Sequence, residues 1–224
     1  MNSVSKSVGL ITIGESPRPD IIDEIRPIIG FDVRILECGA LDGLSIDEIK
    51  SLEPRPGDYV LVTRLRSGVQ VKLSRDKIIG KMQKCINRLE DNVDVIGLLC
   101  TGDFPELKSR KLMIEPSKLI MNVVASLSGM RRLGVIVHDK EQVGLEEGRW
   151  SRVVSEVVVV PVSAYLGTDY DFKRAAAELR NTDLIILDSL GYNTRMANIV
   201  REVARKPVLL PRVLMAHVLR TLIA

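Results

Sequence analysis

The chain has few aromatic side chains, 4% of its 224 residues, and a single tryptophan. So few flat rings leave little with which to stack exposed bases. A net charge of +3, from 32 basic and 29 acidic residues, gives no phosphate-seeking excess either. Both points exclude a nucleic-acid partner. Histidine occurs twice, and the three cysteines, Cys38, Cys85 and Cys100, are odd in number and lack ligand spacing, so no metal site is expected. The same usage suggests reduced thiols and a cytoplasmic protein. No apolar stretch approaches the length of a membrane span, and residues 1–7 have no apolar core of signal-peptide length. No strand-like run leads into a Gly-x-Gly-x-x-Gly turn or a phosphate-loop lysine, which argues against a nucleotide cofactor. What remains is an ordinary globular composition, 46% hydrophobic and 27% charged, enough for one large domain or two small ones.

Short apolar runs organise that composition. The run over 93–99 reads as a strand buried on both faces, the kind found in a parallel sheet flanked by helices. It stops abruptly at Cys100-Thr101-Gly102-Asp103-Phe104-Pro105. Ligands of such sheets bind beyond the carboxyl ends of the strands. A thiol there, followed by a small hydroxyl residue and a glycine, combines access from a crevice with nearby backbone N–H groups for an anion. The plainer alternative is that Cys100 packs, as cysteine commonly does.

Before that strand, residues 8–13 form a first apolar strand ending in a stiff loop with two prolines, and Asp20 reads as the N-cap of a helix that carries Ile21, Ile22, Ile25 and Ile28. Thr12, Gly14, Ser16 and Arg18 then sit at a strand end. Arg18 either makes a two-pronged hydrogen bond to a carboxylate or phosphate, or pairs with a local acid. A strand over 33–38 ends at Gly39, and a short acidic helix follows from Ser45. Runs over 59–65 and 69–73, parted by Arg66-Ser67-Gly68, read as a hairpin, with Arg64 and Arg66 either facing a cleft or solvated at an edge. A helix over 74–90 contains Cys85.

After the Cys100 strand, a helix is expected over 115–127 and a new strand over 133–137, ending at His138-Asp139-Lys140. The following helix carries Glu146, Glu147, Arg149 and Trp150; adjacent glutamates on a helix point in different directions, so this pair reads as a solvated face. A strand over 153–161, an alanine-rich helix over 169–180 and a buried strand over 183–187 come next. That last strand halts at Asp188-Ser189-Leu190-Gly191-Tyr192-Asn193-Thr194, and Asn193 or Thr194 caps the next helix, whose free N–H groups attract anions. A strand over 207–210 precedes a final helix opened by Pro211-Arg212, with Arg212 directed at the same site. Two halves emerge, with a boundary near Gly129: residues 1–128 plus 207–224 carry Cys100, and residues 129–206 carry Ser189.

The opening Leu10-Ile11-Thr12-Ile13-Gly14-Glu15-Ser16-Pro17-Arg18-Pro19-Asp20, the centre Leu98-Leu99-Cys100-Thr101-Gly102 and the late Leu187-Asp188-Ser189-Leu190-Gly191-Tyr192 together resemble AroM-family proteins over nearly the full chain. That family in turn resembles the aspartate/glutamate racemase superfamily, which includes hydantoin racemases, maleate isomerases and arylmalonate decarboxylases. The resemblance implies an α/β fold of two Rossmann-like three-layer α/β/α domains, pseudo-symmetrically arranged about a cleft. It also implies a thiol at the end of an equivalent strand in each domain, one removing a proton and the other delivering one, and assemblies of dimer size or larger. Cys100 matches the first thiol, and Thr101 the small polar residue after it that binds substrate carboxylate. Ser189 stands where the second cysteine is expected. A hydroxyl is far less acidic than a thiol and is a poor base without a partner, for which His138 is the candidate.

These residues leave two functions open. One is a cofactor-independent, cysteine-dependent isomerase, racemase or lyase with Cys100 and Ser189 as catalytic candidates. Its small carboxylate would be bound by Thr12, Gly14, Ser16, Arg18, Thr101, Gly102, Gly191, Tyr192, Asn193 and Arg212. The other is a noncatalytic carboxylate-binding protein that uses the same cleft.

Overall fold

A computed structural model describes residues 6–224. Residues 1–5, on which most of the signal-peptide reading fell, lie outside the described residues. Among those described, no helix is long and apolar enough to cross a membrane. The chain divides into two compact units.

The first unit runs to Ser117 and takes in Met215–Ala224. Its elements are β1 (Ser7–Thr12), α1 (Pro19–Ile29), β2 (Arg34–Gly39), α2 (Ile46–Ser51), β3 (Val60–Arg64), β4 (Gln70–Ser74), α3 (Arg75–Leu89), β5 (Val95–Leu98) and β6 (Leu112–Ile114). Four strands form a parallel sheet in the order β2-β1-β5-β6. Ile11, Ile96 and Leu98 join a core with Ile78, Met82 and Ile86 of α3, while Met215 and Leu219 press on Gly97 of the same sheet. Helical cover on both faces explains why β5 is continuously apolar rather than alternating. The expected hairpin is present as β3 and β4, antiparallel with Arg64 opposite Gln70, and its Leu61 and Leu73 lie in the same core as Cys100. Asp20 is not the cap of α1, however. Proline occupies the first helical position, Arg18 the cap position, and the Asp20 carboxylate is held by the Arg18 guanidinium. Proline suits that first position because its missing N–H would have had no partner there.

The reading of three reduced cysteines is overturned at two of them. Cys38 at the end of β2 and Cys85 on α3 form a disulfide, their Cα atoms 5.6 Å apart, which leaves Cys100 as the one free cysteine among the described residues. Cysteine counting missed it because the partners lie 47 residues apart and meet only when α3 packs over the sheet. In the chain-entropy account a loop of that length gives about 4 kcal/mol of stabilisation. A Cys38→Ser/Cys85→Ser double variant is therefore expected to unfold at markedly lower urea concentration, with a slope somewhat steeper because the unbridged denatured chain is more open, and reduced wild-type protein should follow it.

The second unit, Lys118–Leu214, differs in extent from the division at Gly129. It contains most of α4 (Pro116–Ala125), followed by β7 (Arg132–Val137), α5 (Val143–Trp150), β8 (Glu156–Pro161), α6 (Asp169–Glu178), β9 (Leu184–Leu187), α7 (Thr194–Ala204), β10 (Val208–Leu209) and the start of α8 (Pro211–Ile223). Ile120 and Val124 of α4 pack with Leu133, Val135 and Trp150, which places that helix with the second sheet. The strand β10 pairs in parallel with β9, so residues 207–214 belong here as well, not to the first half. The sheet order is β10-β9-β7-β8. Ile136, Ile185 and Leu187 face α6 and α7, whereas Leu133, Val135 and Ile186 face α4 and α5, giving three layers.

With the hairpin set aside, each sheet has its own first strand between its second and third. In each, the chain moves off in opposite directions from the two central strands, which creates the crevice where ligands of open α/β sheets bind. Thr12 ends one central strand of the first sheet and Cys100 follows the other, while His138 and Ser189 follow those of the second.

Candidate functional site

At the end of β5 the chain turns so that the backbone N–H of Gly102 donates to Cys100 Sγ at 3.3 Å. Cys100 is buried, 8% exposed as a residue, and packs in the core of the first unit as the plainer alternative has it, with Thr101 and Gly102 buried beside it. At the end of β1 the same local geometry recurs, with Gly14 N–H donating to Thr12 Oγ1 at 3.1 Å. Arg18 Nη1 donates to that oxygen at 3.2 Å, and its fork closes on Asp20 through bonds of 2.9 and 2.8 Å. Arg18 is thus buried and paired with a local acid, one of the two alternatives its sequence position allowed. Its backbone N–H donates to Glu37, whose carboxyl burial pushes up from the usual range against the pull of that hydrogen bond.

Asp42 was missed from the sequence, and it organises the loop that carries Ser16. Its carboxylate accepts from Ser16 N–H at 2.7 Å, Ser16 Oγ at 2.5 Å and Gly39 N–H at 2.8 Å. Gly39 is required there, since a Cβ would come within 2.5 Å of the Gly14 carbonyl oxygen and 2.6 Å of Ser16 N. An aspartate three residues beyond a strand end, between glycines at 39 and 43, was the available signal. The hairpin arginines also turn toward this loop: Arg64 lies 3.5 Å from Asp20, and Arg66 binds Glu15 through backbone and guanidinium. Together they border a concavity of ≈ 460 Å³ with Arg18, Asp20 and Glu15 in its wall, and Cys100 does not line it.

The second unit repeats the turn once more. Gly191 N–H donates to Ser189 Oγ at 3.0 Å, and His138 Nε2 lies 2.7 Å from the same oxygen. The backbone N–H of Ala164 points at His138 Nδ1, 3.2 Å away. The imidazole is stacked between Tyr165 and Tyr192, with ring centroids 4.9 and 5.0 Å distant. A Cβ on Gly191 would lie 2.7 Å from the Tyr165 hydroxyl, so only glycine admits this packing. Ser189 itself is partly exposed.

Other residues expected at this end face inward. Tyr192 is fully buried and donates its hydroxyl to the Val162 carbonyl at 2.7 Å; burial pushes its ionisation well above the ordinary range. Asn193 caps α7 by accepting from Met196 N–H at 3.0 Å. Arg212, directed at the site in the sequence reading, is instead buried under the turn and donates through Nε and Nη2 to the Leu190 carbonyl. A guanidinium that braces the Ser189-Leu190-Gly191 backbone fixes the hydroxyl's position from below. Beneath it, Asp188 accepts from Trp150 Nε1 at 3.0 Å and is ion-paired with Arg149. Glu146 is buried too, with an oxygen 2.8 Å from Arg149 Nε, which corrects the solvated-face reading; Glu147 is exposed. Periodicity alone could not distinguish which of two adjacent glutamates turns inward.

A family model described as AroM protein matches residues 8–223. The chain belongs to the AroM family. Among solved structures, this AroM-family chain shares its fold with a liganded arylmalonate decarboxylase carrying a glycine-to-cysteine and a cysteine-to-serine substitution. The TM-score is 0.64 at 15% identity, over 96% of this chain and 93% of that one. Allantoin racemase from Klebsiella pneumoniae matches with a TM-score of 0.64 at 14% identity, over 97% and 87% of the two chains. Maleate isomerase from Pseudomonas putida S16 matches with 0.59 at 15% identity, over 96% and 92%. The aspartate/glutamate racemase-like fold is thereby shown. No curated protein matches the chain.

Proposed function

We propose that this AroM-family protein is a cofactor-independent enzyme that uses the Cys100 thiol in isomerase, racemase or lyase chemistry on a small carboxylate. The observation that supports the reading is the turn at the end of β5, where a backbone N–H is directed at Cys100 Sγ just beyond one of the two central strands from which the chain leaves in opposite directions. A donor in that position favours the thiolate, the nucleophilic and basic form. The fold neighbours, named as racemases, an isomerase and decarboxylases, support the class. Carboxylate recognition falls to Thr12, Thr101 and the Gly102 backbone around the thiol. Arg18, expected in that set, has its fork closed on Asp20 and donates to Thr12 Oγ1, so its part is to position Thr12.

With serine at position 189, two-thiol racemisation is disfavoured, and two single-thiol routes remain. In one, loss of carbon dioxide leaves an electron pair delocalised as an enolate, and the Cys100 S–H protonates the carbon from one face, to be reprotonated by solvent. In the other, the thiolate adds to an activated double bond, the new single bond rotates, and elimination expels the thiolate. The second reading, a noncatalytic carboxylate-binding protein, is favoured by that same serine.

Alkylation followed residue by residue against pH separates the two. In native, unreduced protein Cys38 and Cys85 are bridged and should be silent; after reduction they serve as buried controls. Rapid modification of Cys100, with a midpoint well below the ~8.5 of a free thiol, is the expected result. An inert Cys100 would move the binding-protein reading ahead.

A further inference from the structure

We infer that His138 is a positioning residue that holds Ser189 as a hydrogen-bond donor to an incoming ligand oxygen, and that it does not act as the base for the Ser189 hydroxyl. This deepens the proposed function and rests on its small-carboxylate reading, together with the expectation from the sequence that Gly191 at this strand end helps bind that carboxylate. The argument begins with a group that has no choice of role. A backbone N–H is always a donor, and that of Ala164 is directed at His138 Nδ1 at 3.2 Å. Nδ1 must therefore offer its lone pair, and in a neutral imidazole the proton then resides on Nε2. Nε2 lies 2.7 Å from Ser189 Oγ, so the histidine donates to the serine. A base would need the reverse, a bare Nε2 and a proton on Nδ1 facing the Ala164 N–H.

The serine oxygen completes the argument. It accepts a second hydrogen bond from Gly191 N–H at 3.0 Å, so both of its lone pairs are taken. The remaining tetrahedral direction belongs to its own hydrogen, and Ser189 is partly exposed. Two donors on one hydroxyl oxygen polarise its O–H and strengthen it as a donor. The ligand class that fits is an oxygen that accepts and carries no hydrogen: a carboxylate, or an enolate oxygen bearing developing charge. The stacked tyrosines and the Arg212 brace on Leu190 hold both partners of this arrangement.

The test uses full-length protein and two readouts. Long-range proton–nitrogen NMR at neutral pH reports the tautomer directly, and a protonated Nε2 with a bare Nδ1 is expected for His138; the opposite pattern overturns the inference. The second readout is binding of acetate and malonate at fixed ionic strength, followed at the Gly191 amide, in Ser189→Ala, His138→Phe and His138→Gln. Phenylalanine keeps the ring stack and loses both hydrogen bonds. Glutamine loses the ring but can accept from Ala164 and donate to Ser189. Binding should weaken about 10-fold or more in the alanine and phenylalanine variants and by no more than about threefold in the glutamine variant. Glutamine as poor as phenylalanine, with both variants folded by thermal melting, would also overturn it. Failure of either probe to bind wild-type protein would count against the carboxylate reading, and the tautomer spectrum would still decide the role of His138.

Discussion

Cys100→Ala is expected to abolish turnover of any small carboxylate the protein transforms, while leaving the fold and carboxylate binding in place. Both single-thiol routes need sulfur at the reacting carbon, as the atom that delivers a proton or the atom that adds. Proton transfer by a positioned side chain contributes roughly 10²- to 10⁴-fold, so loss of that order is the minimum for the alanine variant. Cys100→Ser is the sharper probe. Its hydroxyl can still accept from Gly102 N–H, so the turn geometry survives, but an alcohol supplies almost no anion at neutral pH. Activity in the serine variant close to wild type would sink the thiol mechanism. Replacing a buried cysteine by alanine costs roughly 1 kcal/mol, so an unfolding midpoint near wild type shows that lost turnover is chemical rather than structural. If no carboxylate is turned over by wild type and the alanine variant binds as well as the parent, the chain is a binding protein.

The parts of this picture that could be read from the sequence share one property: they are local. Apolar runs broken by glycine placed β1, β5, β7 and β9, and the hairpin residues announced β3 and β4, because strand burial and turn chemistry act over a few positions. The comparable ends at Cys100 and Ser189 were visible for the same reason, and the structure gives both the same glycine N–H donor. What was missed depends on contacts distant in sequence. The Cys38–Cys85 bridge and the Asp42 clamp on Ser16 each need the sheet to be assembled first, whereas His138 was the expected partner of Ser189 and lies 2.7 Å from its hydroxyl oxygen. Arg212 was misdirected for a related reason. Its spacing after Pro211 placed it on a helix start, but nothing local tells whether a guanidinium there faces solvent or a buried carbonyl such as Leu190. The Asp20 cap failed in competition, since Arg18 takes the carboxylate that would otherwise have turned back to the helix N–H groups.

Arg149→Leu should cost the protein the most stability of any single substitution near the Ser189 end. The guanidinium is ion-paired with Asp188, whose side chain is 1% exposed, and sits beside buried Glu146. Removing it leaves Asp188 with the Trp150 N–H but without its countercharge. Breaking a buried pair in this way costs roughly 3–5 kcal/mol, about 10 °C in melting temperature for a chain of this size. An Arg149→Leu/Asp188→Leu double variant should recover much of that loss, because a buried pair is worth little against apolar side chains of similar volume. Glu146 adds a pH signature. Burial first, and the negative charge of Asp188 second, push its carboxyl up to about 8 from the ordinary 4.5 of a glutamate, with Arg149 opposing both. Between those two values the folded protein holds a proton that the unfolded chain has released. Stability therefore falls as pH rises through that window and levels off above it. Glu146→Gln keeps the uncharged shape and removes the titration. Its melting temperature should match wild type near pH 5 and exceed it at pH 8, so a wild-type decline that persists unchanged in the glutamine variant would assign the pH dependence to another group.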